Sequence, residues 1–367
     1  MHKFLKILLV IANTIAGLAL VTSAWAGSVD PAVSRVAPLV AMVVPVTAPV
    51  MLLVLLVDLV WMRRAAIWAV ACLAVSAPTI LDTMPMHPST PRPSEIAESD
   101  DTFTLMSWNV TNLVDITGSF PGDINPLITF MLEQDADIIC MQEAGWVCEN
   151  PITRITPEQQ DSLYSRYPYV IFKPVRQMLA VASKYPVELL PIDSVATPAA
   201  NRTIQHLRID VNGRKLTIFN VHLASIGLTP QDKALYRQVT SLEGENRLSE
   251  VRHNLLGKVA TAAALRSEQT KCLLQFIAAE PRDRDIIVCG DFNDVPASWP
   301  VRQLQGQGFS EVGPQMGWGY RPTFHKDRFY FTIDHILYRG ALTPVAYSRP
   351  TPPWSDHYPL LTTFALK

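Results

Sequence analysis

Two hydrophobic patterns divide the chain. Residues 7–26, 36–60 and 65–81 are nearly uninterrupted apolar stretches. A stretch of about 20 apolar residues is long enough to cross ~30 Å of hydrocarbon as a helix. These three are therefore predicted membrane spans. Pro45 and Pro49 predict a kink in the second span. The turn Trp61-Met62-Arg63-Arg64 leaves room only for a tight helical hairpin between the last two. Beyond about residue 102 the pattern changes to short apolar runs: 103–110, 136–141, 178–183, 203–209, 215–222, 285–289 and 333–338. These read as strands. Amphipathic runs near 124–134, 157–166 and 251–279 read as helices. Alternation on both sides of Asn212-Gly213 predicts a hairpin. Hairpins and strand–helix connections in one chain predict an α/β fold with mixed sheets.

The organisation that follows is a membrane region (1–83), a Pro-rich linker (84–101) and a domain at 102–367. With so many prolines the linker cannot be helical, and it reads as a semi-rigid spacer with few contacts across the boundary. Lys3 and Lys6 before the first apolar stretch, with Ala24-Trp25-Ala26 at its end, also describe a secretory signal peptide. A cleaved signal and a retained helix both remain open. Either way, Lys3, Lys6, Arg63 and Arg64 belong on the cytoplasmic side. The reading is a multi-pass cell-membrane protein whose large domain is extracytoplasmic. Asp58 reads as an interfacial carboxylate facing Arg63 or Arg64 rather than an intramembrane proton site.

Charge narrows the function. Residues 1–91 carry five Lys and Arg against three Asp, leaving 26 of the chain's 31 basic and 30 of its 33 acidic residues in 92–367. A mildly acidic domain disfavours a non-specific nucleic-acid coat, which needs a Lys/Arg excess. Hydrophobic residues at 49% exclude wholesale disorder. Five Cys in 367 residues are no disulfide scaffold. Cys148 and Cys272 could bridge in an oxidising compartment, while Cys140 and Cys289 lie in strands and read as small apolar residues.

The polar residues at strand ends are more informative. Ser107-Trp108-Asn109-Val110, Met141-Gln142-Glu143, Asn220-Val221-His222-Leu223, Gly290-Asp291-Phe292-Asn293-Asp294, Ile333-Asp334-His335-Ile336 and Ser355-Asp356-His357 each follow or carry an apolar run. Each piece alone has an ordinary structural explanation, such as a helix cap, an Asx-turn or a surface pair. Six in one order require one explanation for all. That order resembles the endonuclease/exonuclease/phosphatase superfamily, from about residue 102 to the end. The resemblance implies a four-layer α/β sandwich with two mixed β-sheets, here preceded by two or three transmembrane helices. It implies metal-dependent hydrolysis of a phosphodiester or phosphomonoester, without naming the substrate.

The residue types suit that chemistry. Glu143 and Asn109 offer hard oxygen ligands, appropriate to Mg²⁺ or Mn²⁺. By resemblance, Glu143 is the principal metal ligand, Asn109 supports it and Asp356 lies near the metal. Asp291 orients or deprotonates the attacking water, and Asn293 holds that water or the phosphate. His222 donates to a phosphate oxygen. His357 contacts the scissile phosphate as donor or general acid–base group, with Asp334 orienting its ring. Nuclease members often carry an acidic residue two positions after the first-motif Asn. Here Thr111 stands there, which puts a second metal contact in doubt. Arg202 is a candidate phosphate ligand or a surface ion-pair former. Residues 317–324 line a substrate groove or pack a loop, and 226–250 form a lid or an insertion. A lipid headgroup and a nucleic acid compete as substrate, with the bilayer itself a partner through the spans. The competing reading is a catalytically inactive membrane-anchored scaffold of the same fold. A small transporter is disfavoured by the scarcity of intramembrane charge.

Overall fold

The structure is a computed structural model, and it describes residues 3–88, 90–96, 101–117, 124–145, 155–173, 178–192, 202–227, 229, 248–327 and 329–366. Cys148 and most of the 226–250 stretch lie outside the described residues. The chain begins with helices α1 (Lys3–Ala26), α2 (Ala37–Ala41), α3 (Val44–Trp61) and α4 (Arg63–Thr83). Three of them, at Phe4–Ala26, Val44–Trp61 and Arg63–Thr83, are long and apolar enough to cross a membrane. The stretch expected as one span over 36–60 is divided into α2 and α3. Pro45 is the cause: it has no N–H to give the Ala41 carbonyl, and it is tolerated only in the first turn of α3. Pro49 is accommodated inside α3. Met62 breaks the chain between α3 and α4, as the hairpin reading requires.

The helices pack around small and medium residues, Leu20, Ala48, Met51, Ala69 and Cys72. Polar ties cross between them. Asn13 of α1 donates to the buried Asp58 of α3, and Ser23 shares a 2.8 Å hydrogen bond with Thr47. Asp58 is therefore partnered by Asn13, not by Arg63 or Arg64, because α1 runs past it at that level.

The remaining strands form two six-stranded sheets. β1 (Thr102–Asn109), β2 (Ile138–Gln142), β3 (Tyr169–Lys173), β4 (Leu179–Ser183), β11 (Leu342–Ser348) and β12 (Leu360–Leu366) make one, in the order β11-β12-β1-β2-β4-β3. β5 (Val187–Leu189), β6 (Ile204–Val211), β7 (Arg214–His222), β8 (Asp285–Asp291), β9 (Ser310–Glu311) and β10 (Asp334–Arg339) make the other, in the order β5-β6-β7-β8-β10-β9. Both sheets are mixed: β1 runs parallel to β2 and β7 parallel to β8, and the other pairings are antiparallel.

Alternation along the strands builds the layers. On β1, Phe103 and Leu105 turn inward to a core shared with Ile287 and Cys289 of β8. Met106 and Trp108 turn outward to α5 (Pro126–Gln134) and α6 (Pro157–Arg166), through Leu127, Ile128, Met131 and Leu163. On β8, Ile286 and Val288 face α7 (Leu248–Ala279) and α8 (Trp299–Gly306), through Leu273, Ile277, Val301 and Leu304. A short α9 (Val312–Met316) follows β9. Helix, sheet, sheet and helix are the expected four layers.

The linker departs from the spacer reading. Gly319 N–H donates to Pro85 O at 2.7 Å, His87 N–H to Gly317 O at 2.9 Å and Tyr347 N–H to Pro91 O at 3.0 Å. A Pro-rich strand has few N–H groups to offer, but its carbonyls accept, and the domain supplies the donors.

Candidate active site

β1, β2, β7 and β8 end at the same edge of the sandwich because β1 pairs with β2, and β7 with β8, in parallel register. Asn109 stands level with Gln142, and His222 with Asp291. β10 runs antiparallel to β8, so it begins where β8 ends and sets Asp334 opposite Asp291. The sheet topology thus brings five of the six motifs to one edge, and the sixth is tied to it. Trp108 Nε1 donates to His357 O at 2.8 Å, and Ser355 Oγ donates to Asn109 O at 2.7 Å.

Gly290 is required by close approach. Its φ is +137°, and a Cβ there would stand 2.0 Å from Val221 O. Glu143 (φ +53°) and Asn293 (φ +51°) occupy left-handed backbone. That conformation costs a non-glycine residue roughly 1–2 kcal/mol, a strain that gathers at functional sites.

The polar groups form a continuous chain. His357 Nδ1 lies 2.9 Å from Asp334 Oδ2, and its Nε2 lies 3.7 Å from Asp291 Oδ2. Asn109 Nδ2 donates to Asp291 Oδ2 at 3.0 Å and to Glu143 Oε1 at 3.2 Å. Thr111 N–H donates to the Asn109 amide oxygen at 3.1 Å. His222 Nε2 lies 3.5 Å from Asp291 and 3.8 Å from Glu143. Its Nδ1 is buried and has no hydrogen-bond partner among the described residues. Asn293 N–H donates to Asp291 Oδ1 at 2.8 Å, and its amide donates to Leu223 O at 3.0 Å.

Burial and charge set the protonation. Burial alone would strip His357 of its proton, but Asp334 and Asp291 outweigh it, and the imidazole pKa is pushed up to about 10. Burial raises Asp291 and Asp334 adds to the rise. His357, His222 and the Asn109 amide oppose it without cancelling it. Asp356 behaves otherwise. Burial would raise it, but His357, the Thr111 hydroxyl and Lys326 hold it below the usual carboxylate range. Its carboxylate accepts from Thr111 Oγ1 and lies 3.4 Å from Lys326 Nζ. A carboxylate in place of Thr111 would face Asp356, so the departure at that position has a local electrostatic reason.

Arg202 is exposed at the start of the β6 turn; the neighbouring Thr203 carbonyl accepts from His222 N–H at 2.8 Å. Residues 317–324 brace the site. Thr323 Oγ1 accepts from Asp334 N–H at 3.1 Å, and the Phe324 ring meets His357 edge-on, 5.0 Å between centroids. Two groups escaped the sequence reading. Buried Arg266 donates to buried Asp294 at 2.8 Å. His335, assigned no role, is fully buried between Glu311 (2.6 Å) and Asp294 O (2.8 Å). Only the carboxylate that ends the Gly-Asp-Phe-Asn-Asp turn hinted at the first, and the Ile333–Ile336 motif carries the second without giving it a role. Size does not locate the site: a groove of about 1280 Å³ lies elsewhere, between the linker and the strand starts, lined by Arg92, Thr102 and Lys184.

A divalent cation fits this donor set. Asp291, Asp334 and His357 each present a ligand atom, all within 4.8 Å of one another. Asp334 and His357 already satisfy each other, so the hard oxygens left to a cation are those of Asp291 and the half-exposed Glu143. As placed, Asn109 bridges these two carboxylates through its amide nitrogen.

Fold and site together define a two-sheet α/β sandwich with an acidic, histidine-containing centre at its joined strand ends. The chain belongs to the Endonuclease/Exonuclease/phosphatase family, whose model matches residues 106–357. Among solved structures it is similar to the human Nocturnin catalytic domain with bound sulfate anion (17% identity over 76% of this chain and 100% of that chain, TM-score 0.46). It is also similar to humanized D. rerio TDP2 (19%, 72% and 99%, TM-score 0.48). A third is ANGEL2, a 2',3'-cyclic phosphatase, in complex with adenosine-2',3'-vanadate (17%, 72% and 96%, TM-score 0.46). No curated protein matches the chain.

Proposed function

We propose that the protein is a membrane-anchored phosphoesterase that uses a divalent metal, Mg²⁺ or Mn²⁺, to hydrolyse a phosphodiester or phosphomonoester. The observation that carries this reading is the chain Asp334–His357–Asp291–Asn109–Glu143, in which separate strand ends converge through contacts of 2.9–3.7 Å. In this reading Glu143 and Asp291 hold the ion, with Asn109 between them and Asp356 nearby. The ion supplies charge neutralisation at the phosphate. Asp291, raised by burial, orients the attacking water, and Asn293 steadies the loop that carries it. His357 enters the reaction as a donor, its proton favoured chiefly by the charge of Asp334 against its Nδ1. It gives a hydrogen bond or a proton through Nε2 to a phosphate oxygen, while Asp334 fixes the ring through Nδ1. His222 donates beside it, and Arg202 is a further phosphate contact at the rim. The Arg63/Arg64 turn at the opposite end of the bundle from the domain supports an extracytoplasmic catalytic domain.

The test is turnover of the full chain in detergent on bis(4-nitrophenyl) phosphate and on a phosphomonoester. EDTA is expected to abolish it, and added Mg²⁺ or Mn²⁺ to restore it. Turnover that persists in EDTA contradicts the metal assignment. Absence of turnover on every phosphoester tried, with metal present, favours the inactive scaffold.

A further inference from the structure

We propose that the substrate is a phosphoester carried by a lipid of the same bilayer that holds the spans. This rests on the hydrolytic reading above and deepens it. It follows from where the catalytic loop sits. The ends of the three spans on the domain side are Ala26, Val44 and Thr83. Directly after Asp291 and Asn293 the chain lies on them. Val295 and Ala297 form one buried cluster with Ala41 and Val44, and Ala26, Met42 and Phe331 pack against it. The approach is close: a Cβ on Gly27 would stand 1.7 Å from Ala297 O. Consecutive Cα atoms are about 3.8 Å apart, so the Asn293 backbone is no more than about 8 Å from Val295, and that of Asp291 no more than about 15 Å.

The seat is fixed by polar contacts. Arg302 of α8 donates to Ala24 O, the end of α1, at 2.6 Å, and also to Thr79 of α4. Its guanidinium lies 5.7 Å from the Trp25 ring centre. Gln305 donates to Asp82 at 3.2 Å. The domain is clamped to the span ends rather than tethered by the linker.

A second rim reaches the same level. Met86, just beyond the end of α4, pairs with Trp318 in a β-bridge, and both are exposed, at 61% and 51%. Exposed Trp beside a span end belongs to the membrane–water interface. The segment that begins at Trp318 continues to Thr323 and Phe324, the braces of Asp334 and His357. The loop that follows Asp291 therefore rests on the span ends, and Tyr320 of the second segment lines a small cavity with Val44, Thr83 and Val295. Headgroup layers add roughly 5–7 Å per side to the hydrocarbon core, about the two-residue reach from Val295 to Asn293.

The test uses the full chain in vesicles of phosphatidylethanolamine and phosphatidylglycerol with Mg²⁺, with release of headgroup or of phosphorylated headgroup followed by mass. A short-chain soluble diester with the same headgroups and bis(4-nitrophenyl) phosphate serve as comparisons. Lipid in the bilayer is expected to turn over about tenfold faster than its soluble analogue at equal bulk concentration, the gain of a confined reactant, and to slow as inert detergent dilutes the surface. Met86→Ser is expected to slow the vesicle reaction and leave the bis(4-nitrophenyl) phosphate reaction unchanged. Metal-dependent cleavage of the soluble diesters, with lipid cleaved no faster or not at all, overturns this inference while leaving the hydrolytic reading intact. So does a Met86→Ser variant that slows both reactions equally. No turnover on any substrate overturns both.

Discussion

The N-terminal helical bundle, whose three long helices are apolar enough to cross a membrane, and the sandwich place apolar residues in opposite ways. In the bundle the large apolar side chains point out: Phe4, Leu53 and Ile67 are 71%, 62% and 72% exposed. The buried positions include Asn13, Ser23, Asp58, Ser76 and Thr79. Lipid tails are as apolar as leucine, so helices gain by small-residue packing and interhelical hydrogen bonds. In the sandwich the order reverses. Leu105, Ile138, Val181 and Leu207 fill the space between the sheets, because water is the solvent outside. Polar side chains are therefore informative in both regions, for different reasons. In the bundle they tie helices together. In the sandwich they collect at strand ends, where the hydrogen-bond ladder stops and side chains can converge on a ligand.

One interior exception sharpens the comparison. Asn220 of β7 donates to Met141 O, Ala180 O and the Gln205 amide, each at 3.1 Å, and accepts from Gln142 at 2.8 Å. This network crosses from one sheet to the other directly behind the site. It ties elements together as a polar contact does in the bundle.

The variants that test this contrast begin with the strand-end cluster. His357→Ala and Asp291→Asn are each expected to lower turnover at least ~10²-fold, the scale of a lost acid–base group. Asp334→Asn should cost less, since the amide still meets the ring and Asp291 still favours the His357 proton. An His357→Ala variant with parent-like turnover would remove the site from the account. Next in size is Asn220→Leu, which strands the Gln142 and Gln205 amides in the core. An unpaired buried polar group costs about 1–3 kcal/mol. The expected result is an earlier guanidinium unfolding of the sandwich, followed by tryptophan emission; an unchanged midpoint would show that the sheets do not depend on the network.

A smaller effect depends on pH. Burial disfavours a proton on His335, but Glu311 and the Asp294 carbonyl prevail and raise its pKa above the ordinary imidazole value. A raised histidine binds its proton more tightly in the folded state. Its contribution to stability is thus complete below the unfolded value of about 6.5 and fades as pH rises through the folded one. Between pH 6 and 9 the parent should lose more stability than His335→Gln, with turnover of the variant mildly affected. Parallel pH curves would contradict the assignment. Smallest is Asn13→Leu, for which transmembrane double-mutant cycles suggest about 0.6 kcal/mol. A slightly earlier loss of helicity on titration with SDS is expected, and no shift would mean that α1 is not held through Asp58.

How much was legible follows the same physics. Alternation made β6 and β7 readable and short apolar runs made β1 and β8 so, and their polar ends marked the site. β12 was missed because Thr362 and Thr363 interrupt its apolar run. Both are buried, Thr362 donating to Ala346 O and Thr363 sharing a hydrogen bond with Thr104. β11 was hidden by Pro344, which is accommodated at a bulge in that edge strand. β5 and β9 are too short to show a period. The Glu311–His335 pair and the seat of Val295 and Ala297 on the span ends join segments far apart in the chain. Nothing local announces them. The linker was misjudged from its prolines, whose carbonyls bind the domain as acceptors.

The most direct test of the central claim is the fate of solvent oxygen. If Asp291 directs water at phosphorus beside a protonated His357, hydrolysis of a phosphodiester by the full chain in H₂¹⁸O must place the label in the phosphate product and none in the released alcohol. Label in the alcohol, or cleavage without incorporation of solvent oxygen, would contradict it.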